Sequence, residues 1–187
     1  VPVFNLVRET MPAVVVQGFR GVINTTCNFI LSELERGKEF DVALAEMQSR
    51  GIAEADPALD IDGWDAAAKT AALVNVLMGS IVTPHQVART GIRDLTGSDV
   101  RDALSRNKRI RLVASASRHG GKVKARGGPG VLDPSPPLAG VSGLQNALYL
   151  DTDLLGEVGI IQRSSTLTQT AYALLADVAR ISQRLKE

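Results

Sequence analysis

Residues 109–126, Arg109-Ile-Arg-Leu-Val-Ala-Ser-Ala-Ser-Arg-His119-Gly120-Gly121-Lys122-Val-Lys-Ala-Arg126, decide the fold class. Arg109 to Ser117 alternates with the period of a strand, His119-Gly120-Gly121 supplies a turn, and Lys122 to Arg126 returns. Asn146 to Asp151 and Gly156 to Gln162 predict a second hairpin around Asp153, and the β-branched run Val14 to Phe19 predicts a further strand. Between the hairpins, Gly127 to Pro137 is dense in glycine and proline and predicts a loop.

Helices surround these strands. Pro2 to Met11 predicts a short helix, Thr25 or Thr26 to Arg36 a second that stops at Gly37, and Asp41 to Gly51 a third capped by Asp41. An acid-rich loop, Ala53 to Asp62, leads into a strong helix from Gly63 to Met78, and Thr96 caps another over Asp99 to Asn107. Leu167 to Leu185 is a long helix with Ala171, Leu174, Leu175, Val178 and Ile181 on one face. Helices, then hairpins, then a helix imply an α+β fold, with helices packed on one face of a mixed, largely antiparallel sheet. The last helix is apolar enough to need a partner.

Bulk properties narrow the function. Twenty-one basic against 20 acidic residues leave a formal charge of +1, so neither nucleic acid nor an anionic membrane surface is implied. Aromatic residues make up only 4 %, too few for base-stacking platforms. The most apolar stretch, Ala71 to Met78, falls short of the roughly 20 residues a spanning helix needs, and no basic region with an apolar core opens the chain. A cytoplasmic protein is the expectation. Cys27, the single cysteine, excludes an internal disulfide and a multi-cysteine metal site, and is expected to be a small buried hydrophobe. No metal is expected.

The chemistry concentrates in Gly51 to Thr70, Gly-Ile-Ala-Glu-Ala-Asp-Pro-Ala-Leu-Asp-Ile-Asp-Gly-Trp-Asp-Ala-Ala-Ala-Lys-Thr. Asp65 and Lys69, four residues apart, share one helix face. Glu54 and Asp60 lie on the preceding loop, close enough to fold back over the helix start and place three carboxylates around one ammonium. Such a cluster suits a small zwitterionic substrate, with carboxylates for an amino group and a lysine to exchange a proton. Spacing alone leaves a second reading open, a solvated helix start with an ordinary Asp–Lys surface pair. A calcium loop is excluded, because Asp60-Ile-Asp62-Gly63 lacks the ligand alternation and the closing glutamate.

Glu54-Ala-Asp56-Pro57, then Asp60, Gly63, Asp65 and Lys69, closely resembles the signature of homoserine dehydrogenases. Gly21-Val-Ile-Asn-Thr-Thr-Cys-Asn-Phe-Ile-Leu31 is similar to the family's upstream turn and helix. Pro137-Leu-Ala, Val141, Gly143, Asn146-Ala and Gly156-Glu157 resemble its second conserved region, and Asp177 falls in its terminal helix. The resemblance implies reversible, NAD- or NADP-dependent oxidation of L-homoserine to L-aspartate 4-semialdehyde, a step of amino-acid biosynthesis. It implies that Glu54 and Asp65 hold the substrate's polar groups, that Asp60 is a further active-site carboxylate, that Thr26 approaches the substrate, and that Lys69 serves in proton transfer. It also implies a homodimer paired through a sheet, with residues 1–166 as the substrate-binding, catalytic and dimerisation domain. Residues 167–187 would form a helix returning to a Rossmann-type nucleotide-binding domain.

Three departures accompany the likeness. No strand followed by Gly-x-Gly-x-x-Gly opens a helix, and Gly127-Gly-Pro-Gly130 is not that fingerprint. With no initial methionine and no such domain, the chain is expected to be a fragment, inactive alone, whose cofactor residues lie elsewhere. Thr25 stands where the family's turn carries glycine, Cys27 where threonine or serine is common, and Ile52 where tyrosine is usual. The family's glycine-rich approach to the last helix is here Gln162-Arg163-Ser164-Ser165, which makes Arg163 a candidate for phosphate contact or else a surface arginine. The alternatives to a homoserine dehydrogenase are a non-catalytic dimeric binding or regulatory domain of the same fold, or a related hydroxy-amino-acid dehydrogenase.

Overall fold

The computed structural model describes residues 2–134 and 137–185. Its elements run α1 (Val3–Thr10), β1 (Val16–Val22), α2 (Thr25–Glu35), α3 (Phe40–Ser49), α4 (Ala58–Ile61), α5 (Trp64–Leu77), β2 (Ala88–Arg89), α6 (Gly97–Ser105), β3 (Arg109–His119), β4 (Lys122–Leu132), β5 (Asn146–Thr152), β6 (Gly156–Gln162) and α7 (Leu167–Arg184). The strands form one sheet in the order β2-β4-β3-β1-β5-β6, parallel only between β2 and β4. The expected α+β class and mixed, largely antiparallel sheet are therefore observed.

The helices pack on one face of the sheet. Alternate residues of β3, Ile110, Leu112, Ala114 and Ala116, are buried on that side. Ile30, Leu31 and Leu34 of α2 meet Ile110 and Leu112, together with Val100 and Ala103 of α6. Leu73 and Val74 of α5 join Phe19, Leu148 and Leu150 in a second cluster, against which Val3 and Phe4 of α1 pack. On the opposite face Leu138 and Val141 cover Val22, Ala147 and Tyr149. That cover is held by a buried ion pair: Arg111, fully buried on β3, meets Glu35 Oε1 at 2.8 Å and donates to Val141 O at 2.7 Å.

Several boundaries differ from expectation. Gly127 to Leu132 is strand, the continuation of β4, rather than loop. Beyond Gly127 no strand pairs β4 on its outer side among the described residues, so proline is tolerated there. Gly127 O accepts from Thr90 N on that outer side at 2.8 Å, and Pro129, two residues on, turns its nitrogen the same way. The remainder of the expected loop includes Ser135 and Pro136, outside the described residues. β1 starts at Val16, because Ala13 has a left-handed backbone and Val15 N is occupied by Asp153 Oδ1 at 2.9 Å. It then runs past Phe19 to Val22, paired on both edges by β3 and β5. α3 begins at Phe40 with Glu39 at its cap; Asp41 lies inside the first turn, where a carboxylate still favours the helix dipole. The acidic loop contains the single turn α4, opened when Asp56 Oδ1 accepts from Ala58 N at 3.0 Å.

Candidate active site

The site forms where the turn after β1 meets the start of α5. Gly63 adopts φ +80°, a conformation that other residues enter only with strain, and it breaks α4 from α5 so that Asp65 falls in the first turn of the longer helix. Gly91 lies so close to this break that a Cβ there would sit 2.1 Å from Ile61 O. The Ala66-Ala-Ala68 run lets α5 approach the sheet, with Ala66 and Ala67 buried. Lys69 and Asp65 meet as the helical spacing requires, Nζ to Oδ2 at 2.7 Å, and Lys69 Nζ also donates to Ile23 O at 3.2 Å.

Asn24 joins the pieces. It is the N-cap of α2, its Oδ1 accepting from Cys27 N at 2.8 Å. Its Nδ2 donates to Asp60 Oδ1 at 2.7 Å and to Asp65 Oδ2 at 2.8 Å. One buried carboxamide thus holds two carboxylates that would otherwise repel. Two acids against one lysine leave a formal excess of one negative charge, which suits a substrate carrying an ammonium group.

Two cavities meet here. A pocket of about 210 Å³ is lined by Thr26, Ile52, Asp60, Asp65, Lys69 and Ser165, with Asn24, Thr25 and Thr166 completing it. A larger groove of about 640 Å³ opens between α1, α5, the β5–β6 hairpin and α7, with Phe4, Ala72, Leu73 and Leu148 among its mainly apolar walls. Lys69 borders both cavities. The lysine therefore stands between a small polar pocket and a larger, mainly apolar groove. Among the described residues no group of three His, Cys, Asp or Glu side chains is placed to hold a metal ion.

Cys27 lies beneath the pocket, fully buried, its thiol donating to Asp60 O at 3.3 Å. Burial pushes its pKa well above the usual thiol value, and the charges of Asp60 and Asp65 add to this against the opposing pull of Lys69. It belongs to the core with Ile30, Leu31 and Leu34, as a small hydrophobe should.

Of the residues singled out in the sequence, Asp60, Asp65, Lys69 and Thr26 come together. Glu54 does not: its side chain is exposed and does not border the pocket, so two carboxylates rather than three surround the lysine. Its backbone is tied instead to α3, where Gln48 Nε2 donates to Glu54 O at 3.0 Å. Arg163 is exposed in the connection between β6 and α7 and borders neither cavity. Asn24, Ser165 and Thr166 were not foreseen as site residues. Asn24 had a signal, an N-cap residue opening a helix; the other two are adjacent to the site only through the sheet.

Known proteins resemble this chain along nearly its whole length. A family model described as homoserine dehydrogenase matches residues 2–179. The "NAD(+)-dependent homoserine dehydrogenase" of Pseudomonas canavaninivorans is 35 % identical over 183 residues, covering 97 % of this chain and 52 % of that protein. The homoserine dehydrogenase of Sulfurisphaera tokodaii is 39 % identical over 177 residues, covering 95 % of this chain and 54 % of its own length. The crystal structure of a homoserine dehydrogenase from Thiobacillus denitrificans superposes with a TM-score of 0.87 at 35 % identity, over 95 % of this chain and 42 % of that one. The chain spans about half the length of the curated relatives it matches.

Proposed function

The chain belongs to the homoserine dehydrogenase family, and on that premise we propose that it forms the substrate-binding and catalytic portion of an enzyme interconverting L-homoserine and L-aspartate 4-semialdehyde. The observation that carries this reading is Lys69, paired with Asp65 at 2.7 Å and bordering both the small polar pocket and the open groove. Asp60 and Asp65 receive the substrate's amino group. Thr26 lines the same pocket.

Lys69 exchanges the proton of the substrate hydroxyl and stabilises negative charge developing on that oxygen. Glu54 is offered as a further contact to the substrate's polar groups, from the exposed loop that carries it. A nicotinamide dinucleotide, NAD or NADP, would supply the hydride acceptor. The groove fits the ring of such a group, because it is apolar, adjoins Lys69 and is larger than the substrate pocket. Arg163 is offered as a contact to its phosphates.

Residues 1–166 constitute the catalytic and dimerisation domain, and residues 167–187, which contain α7, pack on a nucleotide-binding domain. In support, Leu174, Leu175, Val178 and Ile181 of α7 are 60–68 % exposed along one helix face, a stripe suited to burial against another body. The homodimer forms through the sheet face turned away from the helices, where Ile161 is exposed. No helix among the described residues is long and apolar enough to cross a membrane, and a cytoplasmic site of action is part of the proposal.

The experiment is homoserine-dependent reduction of NAD or NADP by the full-length gene product that contains this chain. Reduction with at least one cofactor is expected; none with either overturns the reading.

A further inference from the structure

Two hydroxyls converge on one carboxamide at the boundary between the two cavities. Asn146 Nδ2, at the first position of β5, donates to Ser165 Oγ at 2.7 Å and to Thr25 Oγ1 at 3.0 Å. Thr25 opens α2 beside Asn24, whereas Ser165 lies between β6 and α7, and all three residues are half-buried. Thr25 and Ser165 line the small pocket, Asn146 lines the groove, and Lys69 lines both. The three side chains and the lysine therefore make up part of the partition between the cavities.

Thr25 and Ser165 are 140 residues apart in sequence yet share one donor, Asn146 Nδ2, so the two hydroxyls form one device across three elements of the fold.

We propose that Thr25, Asn146 and Ser165 form a clasp that fixes Ser165 and Thr166 as a wall of the small pocket and so limits the size of the hydroxy-amino acid it accepts, an inference that rests on reading this pocket as the substrate site. The physical argument is entropic. A segment leading into a helix, free of regular structure, loses conformational freedom when it becomes a pocket wall. Two hydrogen bonds from a strand already fixed in the sheet offset that loss, and the pocket keeps its small dimensions. Its volume of about 210 Å³ lies below the ~300 Å³ at which pockets for drug-sized ligands begin.

The test is a double-mutant cycle on Thr25→Ala, Ser165→Ala and the pair, read in two ways. Amide hydrogen exchange across residues 163–169 reports the clasp itself and needs no substrate. Each single variant should speed exchange there roughly three- to tenfold, and the pair no more than the larger single effect, because either loss opens the same segment. Ser165→Thr, which keeps the hydroxyl, should retain protection. Steady-state kinetics of the full-length protein report selection: KM for homoserine should rise several-fold with kcat within about twofold, and preference for homoserine over its five-carbon homologue should fall.

Unchanged exchange in both single variants, or effects that add in the pair, overturns the clasp. Faster exchange with KM and chain-length preference unaltered overturns its part in selecting substrate. A wild type that turns over no homoserine while showing the expected exchange pattern overturns the substrate reading and upholds the clasp.

Discussion

Asn24 and Asp65 are joined by a 2.8 Å hydrogen bond from the carboxamide of one to Oδ2 of the other, and this bond ties the α2 cap to the first turn of α5. Asn24 therefore has two duties, one to the fold and one to the site, and two substitutions separate them. Asn24→Ala removes both and should cost about 1 kcal/mol in stability through loss of the cap. Asn24→Ser retains a capping oxygen, so its denaturation midpoint should lie above that of Asn24→Ala. Both variants leave Asp60 and Asp65 without their shared donor, so kcat/KM should fall about tenfold in each. Denaturant melts alongside steady-state kinetics check the pattern; full activity in Asn24→Ser would show that the carboxylates need no such anchor.

Arg111 is the main buried cation of the described residues, and Glu35 is its counter-ion. Arg111→Ala leaves a carboxylate only 8 % exposed with Arg109 as its remaining partner, and a loss of about 3 kcal/mol is expected. Glu35→Gln combined with Arg111→Met removes both charges and should recover part of that loss. Urea denaturation of wild type, Glu35→Gln, Arg111→Met and the pair is the check, and additivity of those two changes would contradict the coupling.

Gly91 has no room for a side chain against Ile61 O and the Asp62 backbone. Gly91→Ala must push the α4–α5 break aside, and that break positions Asp60 and Asp65. A fall in melting temperature together with a fall in activity is expected, whereas Gly140→Ala, with only a 4.0 Å neighbour, should change neither by much.

Cys27 is fully buried, and its pKa is raised by burial first and by the neighbouring carboxylates second. A colourless-to-coloured thiol reagent at pH 8 should fail to label the folded protein within minutes and should label one thiol per chain in denaturant. Rapid labelling in the native state would place the thiol at a surface it does not have here.

Much of the fold was legible because period and turn chemistry are local signals. The β3–β4 hairpin, the β5–β6 hairpin, the α5 helix and the Asp65–Lys69 pair all follow from spacing within a few residues. The misses have tertiary causes. Gly127 to Leu132 has the composition of a loop, yet it is strand because β3 pairs it along its full length and β2 leaves its outer edge open past Gly127. Glu54 was expected over the helix start, but its distance along the chain did not determine its direction in space. Asn24 and Asn146 carry no chemistry of their own in sequence; each acquires a role from partners on other elements.

The most direct measurement compares wild type and Lys69→Ala, as full-length proteins, in homoserine-dependent reduction of NAD or NADP. The Asp65–Lys69 pair is half-exposed, worth only ~0.5 kcal/mol to stability, so the variant should fold normally. Its kcat should fall by about 10² or more, the scale of a lost proton-transfer group. A folded Lys69→Ala that keeps wild-type turnover would contradict the role assigned to this lysine.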